Sequence, residues 1–180
     1  MKTLKRETGE TRITVGIDLS GGAASAATGD GFLDHMLVTL GRYAGIGLDV
    51  EGEGDLRHHL VEDVAIALGL VLREAIPAEA ARYGEATIPM DDALVTAAID
   101  IGGRPWYEGS LPATLYEHFL QSLATNMGAT LHVVVQRGRD RHHVVEAAVK
   151  ATGMALRQAL VQGDSVFSTK GSVTLEWTED

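Results

Sequence analysis

The sequence predicts an α+β fold made of two copies of one ββαβα unit, with the sheets on one side and the helices on the other. Three observations predict it. First, the 180-residue chain matches itself: "HMLVTLGRYAGIGLDVEGEGDLRHHLVEDVAIALGLVLREAI", from His35, aligns with "HFLQSLATNMGATLHVVVQRGRDRHHVVEAAVKATGMALRQAL", from His118. The shift is 83 residues through Leu48/Leu131 and Val50/Val133, and 84 from the paired histidines onward, one extra residue falling in the turn between. Second, the apolar period inside each copy changes from helical to strand-like and back to helical. Third, the stretch ahead of each copy alternates apolar with polar residues, the period of a half-buried strand.

The elements follow in order. "TRITVGIDL" is a strand before the first copy. Phe32, Met36, Leu37 and Leu40 then recur at helical spacing, predicting a helix with His35 near its start and a glycine after its end. "IGLDV" is a short strand, a Gly/Asp turn follows, and a long Ala- and Leu-rich helix opens at His58 and His59. Pro77 to Ala81 is the connector, so one domain over 1–180 comprises halves at about 1–81 and 82–180. The second half repeats the series with "ALVTAAIDIGGRPWYEG", a helix marked by Phe119, Leu120 and Leu123 and carrying His118, the strand "ATLHVVV", and a long helix opening at His142 and His143. "GSVTLEW" reads as a closing strand.

Composition limits the function. Apolar residues at 45% and charged residues at 22% are those of a folded soluble domain. No apolar run reaches membrane-spanning length, and "MKTLKRETGETR" has no hydrophobic core of a signal segment, so the expected location is the cytoplasm, with no membrane partner. The absence of cysteine excludes disulfides and thiolate chemistry, and any metal must be held by nitrogen and oxygen. A net charge of −10 argues against a nucleic-acid partner while leaving room for a local basic pocket.

Two of the seven histidines stand side by side at the start of each long helix. Residues four apart share a helix face and adjacent ones point about 100° apart, so His58 with Glu62, and His142 with Glu146, can each chelate one ion while His59 and His143 aim elsewhere. With His35 and His118 added, pseudo-symmetry groups the donors into two sites, His35, His59, His142 and Glu146 in one and His118, His143, His58 and Glu62 in the other. Four donors leave two octahedral positions for water or substrate. Imidazoles with one carboxylate suit manganese, iron, cobalt, nickel or zinc. A single histidine pair at a helix start is more often a cap or a solvated surface feature; two copies in register, each with its glutamate and its upstream histidine, favour ligation. His132 is matched by Asp49 in the first copy and reads as a strand residue without a catalytic job.

At these residues the chain resembles the imidazoleglycerol-phosphate dehydratase family. The resemblance rests on "ETRITVGIDL", "TGDGFLDHML", "HHLVED", "RYGEATIPMDDAL", "DIGGRP", "HHVVEAAVKA" and "STKG" in that order, and spans nearly the whole chain. It implies a fold of duplicated units related to the second domain of ribosomal protein S5, two Mn2+ per subunit, and a homo-oligomer of 24 subunits with active sites where subunits meet. The implied reaction is loss of water from imidazole glycerol phosphate to give imidazole acetol phosphate, a step of histidine biosynthesis. No carbonyl acidifies the hydrogen that leaves, so the deprotonated imidazole ring supplies the push that expels the hydroxyl, and proton loss from the next carbon gives an enol that becomes the ketone.

The resemblance also implies residue roles. Glu10, in "GETR", is the substrate-contacting acid/base, acting with the ligands His35, His58, His59, Glu62, His142, His143 and Glu146. Arg82, Arg104, Lys150, Ser168, Thr169 and Lys170 hold the phosphate, for which guanidinium forks and the donors of a glycine-ended turn are suited. Tyr43 stands near the phosphate where the family usually has histidine, and a neutral phenol brings one donor but no positive charge. The turn in "GDLRHH" and the stretch "SGGAASAATGD" are shorter than is usual for the family. Two other readings stay open at this stage. A structural metal-binding protein would have no need of the phosphate set, and a metallohydrolase of a small phosphorylated substrate would need a motif that is not evident here.

Overall fold

The computed structural model describes residues 1–165. The first half contains β1 (Lys2–Glu7), β2 (Thr11–Asp18), β3 (Ala24–Ala27), α1 (Gly31–Ala44), β4 (Gly47–Gly54) and α2 (Arg57–Ala75). The second contains β5 (Tyr83–Met90), β6 (Ala93–Asp100), β7 (Trp106–Gly109), α3 (Thr114–Met127), β8 (Thr130–Arg137) and α4 (Arg141–Ala159). Each half forms its own four-stranded sheet, in the orders β1-β2-β4-β3 and β5-β6-β8-β7. The ββαβα plan is therefore present twice, and each copy adds a short third strand, β3 or β7, that pairs parallel with β4 or β8 at the sheet edge. "GSVTLEW" lies outside the described residues.

The duplication is kept at the element ends. Helices α1 and α3 are offset by 83 residues at both ends, as are β4 and β8, whereas α2 and α4 are offset by 84. The extra residue lies in the turn after β8, where Gly138 adopts φ 149°. Gly45 and Gly128 end α1 and α3 in the left-handed conformation, φ 72° and 74°, and their amides bond back to the last helical carbonyls.

Each sheet buries one face, seen in the strict alternation of buried and half-buried residues along β6. Against these faces lie the helices, α2 on β1, β2 and β4, and α4 on β5 and β6. The stripe Leu33, Met36, Leu37 and Leu40 of α1 is buried, as is Phe119, Leu120 and Leu123 of α3. Phe32, expected on the apolar stripe, is only half-buried: Leu33 takes the inward position, and the Phe32 ring lies edge-on to Tyr116 with centroids 4.9 Å apart.

Helix pairing crosses between the halves. Helix α1 packs on α4 and α2 packs on α3. At both crossings a glycine permits the approach: a Cβ on Gly153 would stand 2.8 Å from Tyr43 Cβ and 3.1 Å from the Leu40 carbonyl oxygen, and one on Gly69 would stand 2.8 Å from both Asn126 Cβ and the Leu123 carbonyl oxygen. The segment 77–81 is also tied down, since Ala81 donates to the Val161 carbonyl and Gly163 to the Glu79 carbonyl.

Candidate metal centres

The cross-half pairing sets the start of each long helix against the histidine of the other half. Asp140 fixes the start of α4 by accepting from the amides of His142 and His143 at 2.8 and 3.4 Å. Glu146, one turn on, directs Oε2 at two imidazoles, 3.1 Å from His142 Nε2 and 3.3 Å from His35 Nε2 of α1. The rings of His35 and His142 are stacked with centroids 6.4 Å apart. At the start of α2, whose Arg57 lines one pocket with Arg141 and His142 of α4, His58 Nε2 lies 3.5 Å from Glu62 Oε2, and the donor atoms of His58, Glu62 and His118 all lie within 4.8 Å of one another. Each trio therefore joins a histidine and a glutamate of one half to a histidine of the other.

The donors fit a divalent ion. They are imidazole nitrogens and carboxylate oxygens, and each carboxylate stands 3.1 to 3.5 Å from an imidazole nitrogen, a spacing that suits neighbouring ligands about 2.1 Å from a common ion. Among the described residues, the set whose three donor atoms all lie within 4.8 Å of one another is His58, Glu62 and His118. The His35 and His142 side chains are about half exposed, so this centre opens to solvent on its imidazole side, while Glu146 is buried.

His59 and His143 belong to neither trio within one chain. His59 Nδ1 lies 2.8 Å from Asp55 Oδ1 and 3.6 Å from Glu10 Oε2. His143 Nδ1 lies 2.8 Å from Asp92 Oδ1, and its Nε2 lies 3.5 Å from Asp91 Oδ2. A carboxylate at Nδ1 holds the proton there and leaves Nε2 as the donor atom for a metal, the usual outer support of a ligating histidine. Hydrogen bonds to these carboxylates raise both imidazoles above the ordinary histidine value; conversely, His59 lowers Asp55, and His143, with the Arg139 and Asp140 amides, lowers Asp92.

Asp55 and Asp92 are the supporting residues that the sequence reading missed. Asp55 carried a signal, four residues before His59 on the helix approach. Asp92 carried none, because its contact with His143 depends on the β5–β6 turn meeting the start of α4. A bridge also joins the two trios: Asp30 caps α1 and pairs with Arg57, whose guanidinium donates to the Tyr116 hydroxyl at 3.4 Å, and Phe32 lies between Tyr116 and His142.

The residues expected at the phosphate are distributed. Lys150 Nζ ion-pairs with Glu146 Oε1 at 2.9 Å and stands 5.6 Å from the centre of the Tyr43 ring. Burial works to raise the Glu146 carboxyl, and Lys150 and His35 overcome it, leaving the group below the ordinary carboxylate value. Arg82, at φ 76°, grips Asp100 through Nε and Nη2 at 2.7 and 2.9 Å. Arg104 is exposed beside it in the fold, its carbonyl accepting from Thr130 at the start of β8. Glu10 is exposed in the β1–β2 turn, in a cleft with Glu7, Arg12 and Glu53. His132 is exposed on β8, away from both trios. Ser168, Thr169 and Lys170 lie outside the described residues.

Comparison with known proteins shows the family. The family model described as imidazoleglycerol-phosphate dehydratase matches residues 28–156. The chain is 46% identical to the imidazoleglycerol-phosphate dehydratase of Dinoroseobacter shibae, over 95% of this chain and 98% of that one, and 44% identical to that of Chlorobium phaeovibrioides, over 94% and 93%. Among solved structures it is similar to the IGPD of Pyrococcus furiosus, with TM-score 0.86 and 40% identity over 94% of this chain and all of that one. The imidazoleglycerol-phosphate dehydratase of Staphylococcus aureus aligns with TM-score 0.79 and 31% identity over 91% of this chain. With two histidine and glutamate trios in a duplicated fold and this likeness along nearly its whole length, the chain belongs to the imidazoleglycerol-phosphate dehydratase family.

Proposed function

We propose that this chain is a hydro-lyase of histidine biosynthesis that removes water from imidazole glycerol phosphate to give imidazole acetol phosphate. The observation that carries the reading is the convergence of two histidine and glutamate trios at helix starts in a chain of this family. His35, His142 and Glu146, with His59, would hold one divalent ion, and His58, Glu62 and His118, with His143, the other; we take the ions to be manganese, two per subunit. Bound there, they supply Lewis acidity that favours the deprotonated form of the substrate's imidazole. Glu10 stands beside His59, where its carboxylate can move a proton at the substrate carbon chain. Arg82, Arg104, Lys150, Ser168, Thr169 and Lys170 are the phosphate donors in this reading, with the Tyr43 hydroxyl adding one hydrogen bond.

One chain does not gather this set. Arg82 and Arg104 stand where β8 begins and His142 where it has ended, eight residues of strand away, or about 25 Å. His59 and His143 point away from the trios they would complete. Both facts support active sites completed between subunits, and we take the assembly to be the 24-subunit form, in the cytoplasm; among the described residues no helix is long and apolar enough to cross a membrane. Purified protein supplied with manganese and imidazole glycerol phosphate should form the ketone without releasing phosphate. Metal uptake with no turnover would instead identify a structural metal protein, and free phosphate a hydrolase.

A further inference from the structure

We propose that the two metal centres of this chain are unequal, and that Lys150 makes the centre of His35, His142 and Glu146 the weaker. The inference rests on the reading of both trios as metal sites. The trios match in donors, two imidazoles and one carboxylate each, but not in what stands behind the carboxylate. Glu146 is buried, and its Oε1 is held by the Lys150 ammonium at 2.9 Å, leaving Oε2 to the imidazoles. The residue equivalent to Lys150 after Glu62 is Ile66, which has no charge to offer. The cleft beside that centre is lined by His58, Thr114, Leu115, Glu117, His118 and Gln121, with no lysine or arginine, and Glu117 has its counterpart in Asp34 beside His35.

The outer supports do not offset the difference. His59 is flanked by Asp55 and Glu10, and His143 by Asp92 and Asp91, two carboxylates each. The unmatched charge is therefore that of Lys150. An ammonium on the ligand carboxylate withdraws part of the negative charge available to a cation, and in a buried pair salt screens this little. The effect on metal affinity is on the order of tenfold to a hundredfold.

Graded chelator applied to the manganese-loaded, assembled protein without substrate, followed by counting of the ions retained per subunit, tests this. The parent should release one ion at roughly tenfold lower chelator than the other. In Lys150→Met the gap should close, because the weaker ion becomes harder to remove, and Lys150→Arg should keep the gap. Ile66→Lys places the same charge behind Glu62 and should loosen the second ion, a result that stands even if Lys150→Met fails to assemble. Simultaneous loss of both ions from the parent, or an unchanged gap in Lys150→Met, or an unmoved second ion in Ile66→Lys, would overturn the inference. If His35→Ala and His58→Ala empty the same site, the reading of the two trios fails instead, which a two-ion protein with equal affinities would not imply.

Discussion

Glu62 and Glu146 occupy equivalent positions one turn after a histidine, and their pairing with His58 and His142 was legible from four-residue spacing alone. The cross-half partners His118 and His35 followed from pseudo-symmetry. What spacing could not supply was the hold on His59 and His143, because Asp92 reaches its imidazole only through tertiary contact. His58→Ala and Glu62→Gln are expected to empty one centre, and His142→Ala and Glu146→Gln the other, while all four abolish nearly all turnover. Elemental analysis with anomalous scattering to locate the remaining ion checks this; removal of different ions by His58→Ala and Glu62→Gln would refute the shared helix face. Arg104→Ala is expected to weaken substrate binding by about 1.5 to 3 kcal/mol, the scale of a charge-assisted contact, with metal content intact. Equal turnover of variant and parent at limiting substrate would remove Arg104 from the phosphate site.

The helices and the strands β2, β4, β6 and β8 were readable because their periods are strong, whereas β1 and β5 were not named as strands, and the extra residue before α4 showed directly in the shift from 83 to 84. The short edge strand β3 was not, since "ASAA" carries almost no apolar contrast and is defined by pairing with β4. Nor does local sequence reveal which helices meet. The glycines that decide it, Gly69 and Gly153, sit in helix interiors where propensity alone would prefer alanine. Gly153→Ala should therefore destabilise the fold by about 1 to 3 kcal/mol despite its better propensity, as overpacking does, because the added methyl meets Tyr43 Cβ and the α1 backbone. Denaturant unfolding measures it, and a stabilised variant would mean that α1 and α4 can separate without loss. Asp140→Ala should cost about 1 kcal/mol through the lost cap of α4. At α2, where Leu56 offers no side-chain cap, no such loss is available.

For the whole molecule, the proposed ligand sets, in which His59 and His143 complete trios they do not reach within one chain, predict that metal and association are coupled. Chelation should yield smaller oligomers, and added manganese should restore the large one, with light scattering as the measure. Unchanged size after demonstrated metal removal would place all ligands within one chain. The crossed helix pairing has a further consequence. If the chain were cut between its halves and the copies were identical, α1 packing on α4 and α2 packing on α3 would be one and the same contact made twice about a two-fold axis, the isologous interface of a homodimer. In such a dimer both centres are identical by symmetry, and any substitution strikes both together. Joined in one polypeptide, each copy of the interface is encoded separately, so a lysine can stand behind one glutamate and an isoleucine behind the other. The covalent link thus lets the surroundings of each histidine and glutamate trio differ, as two identical unlinked copies could not.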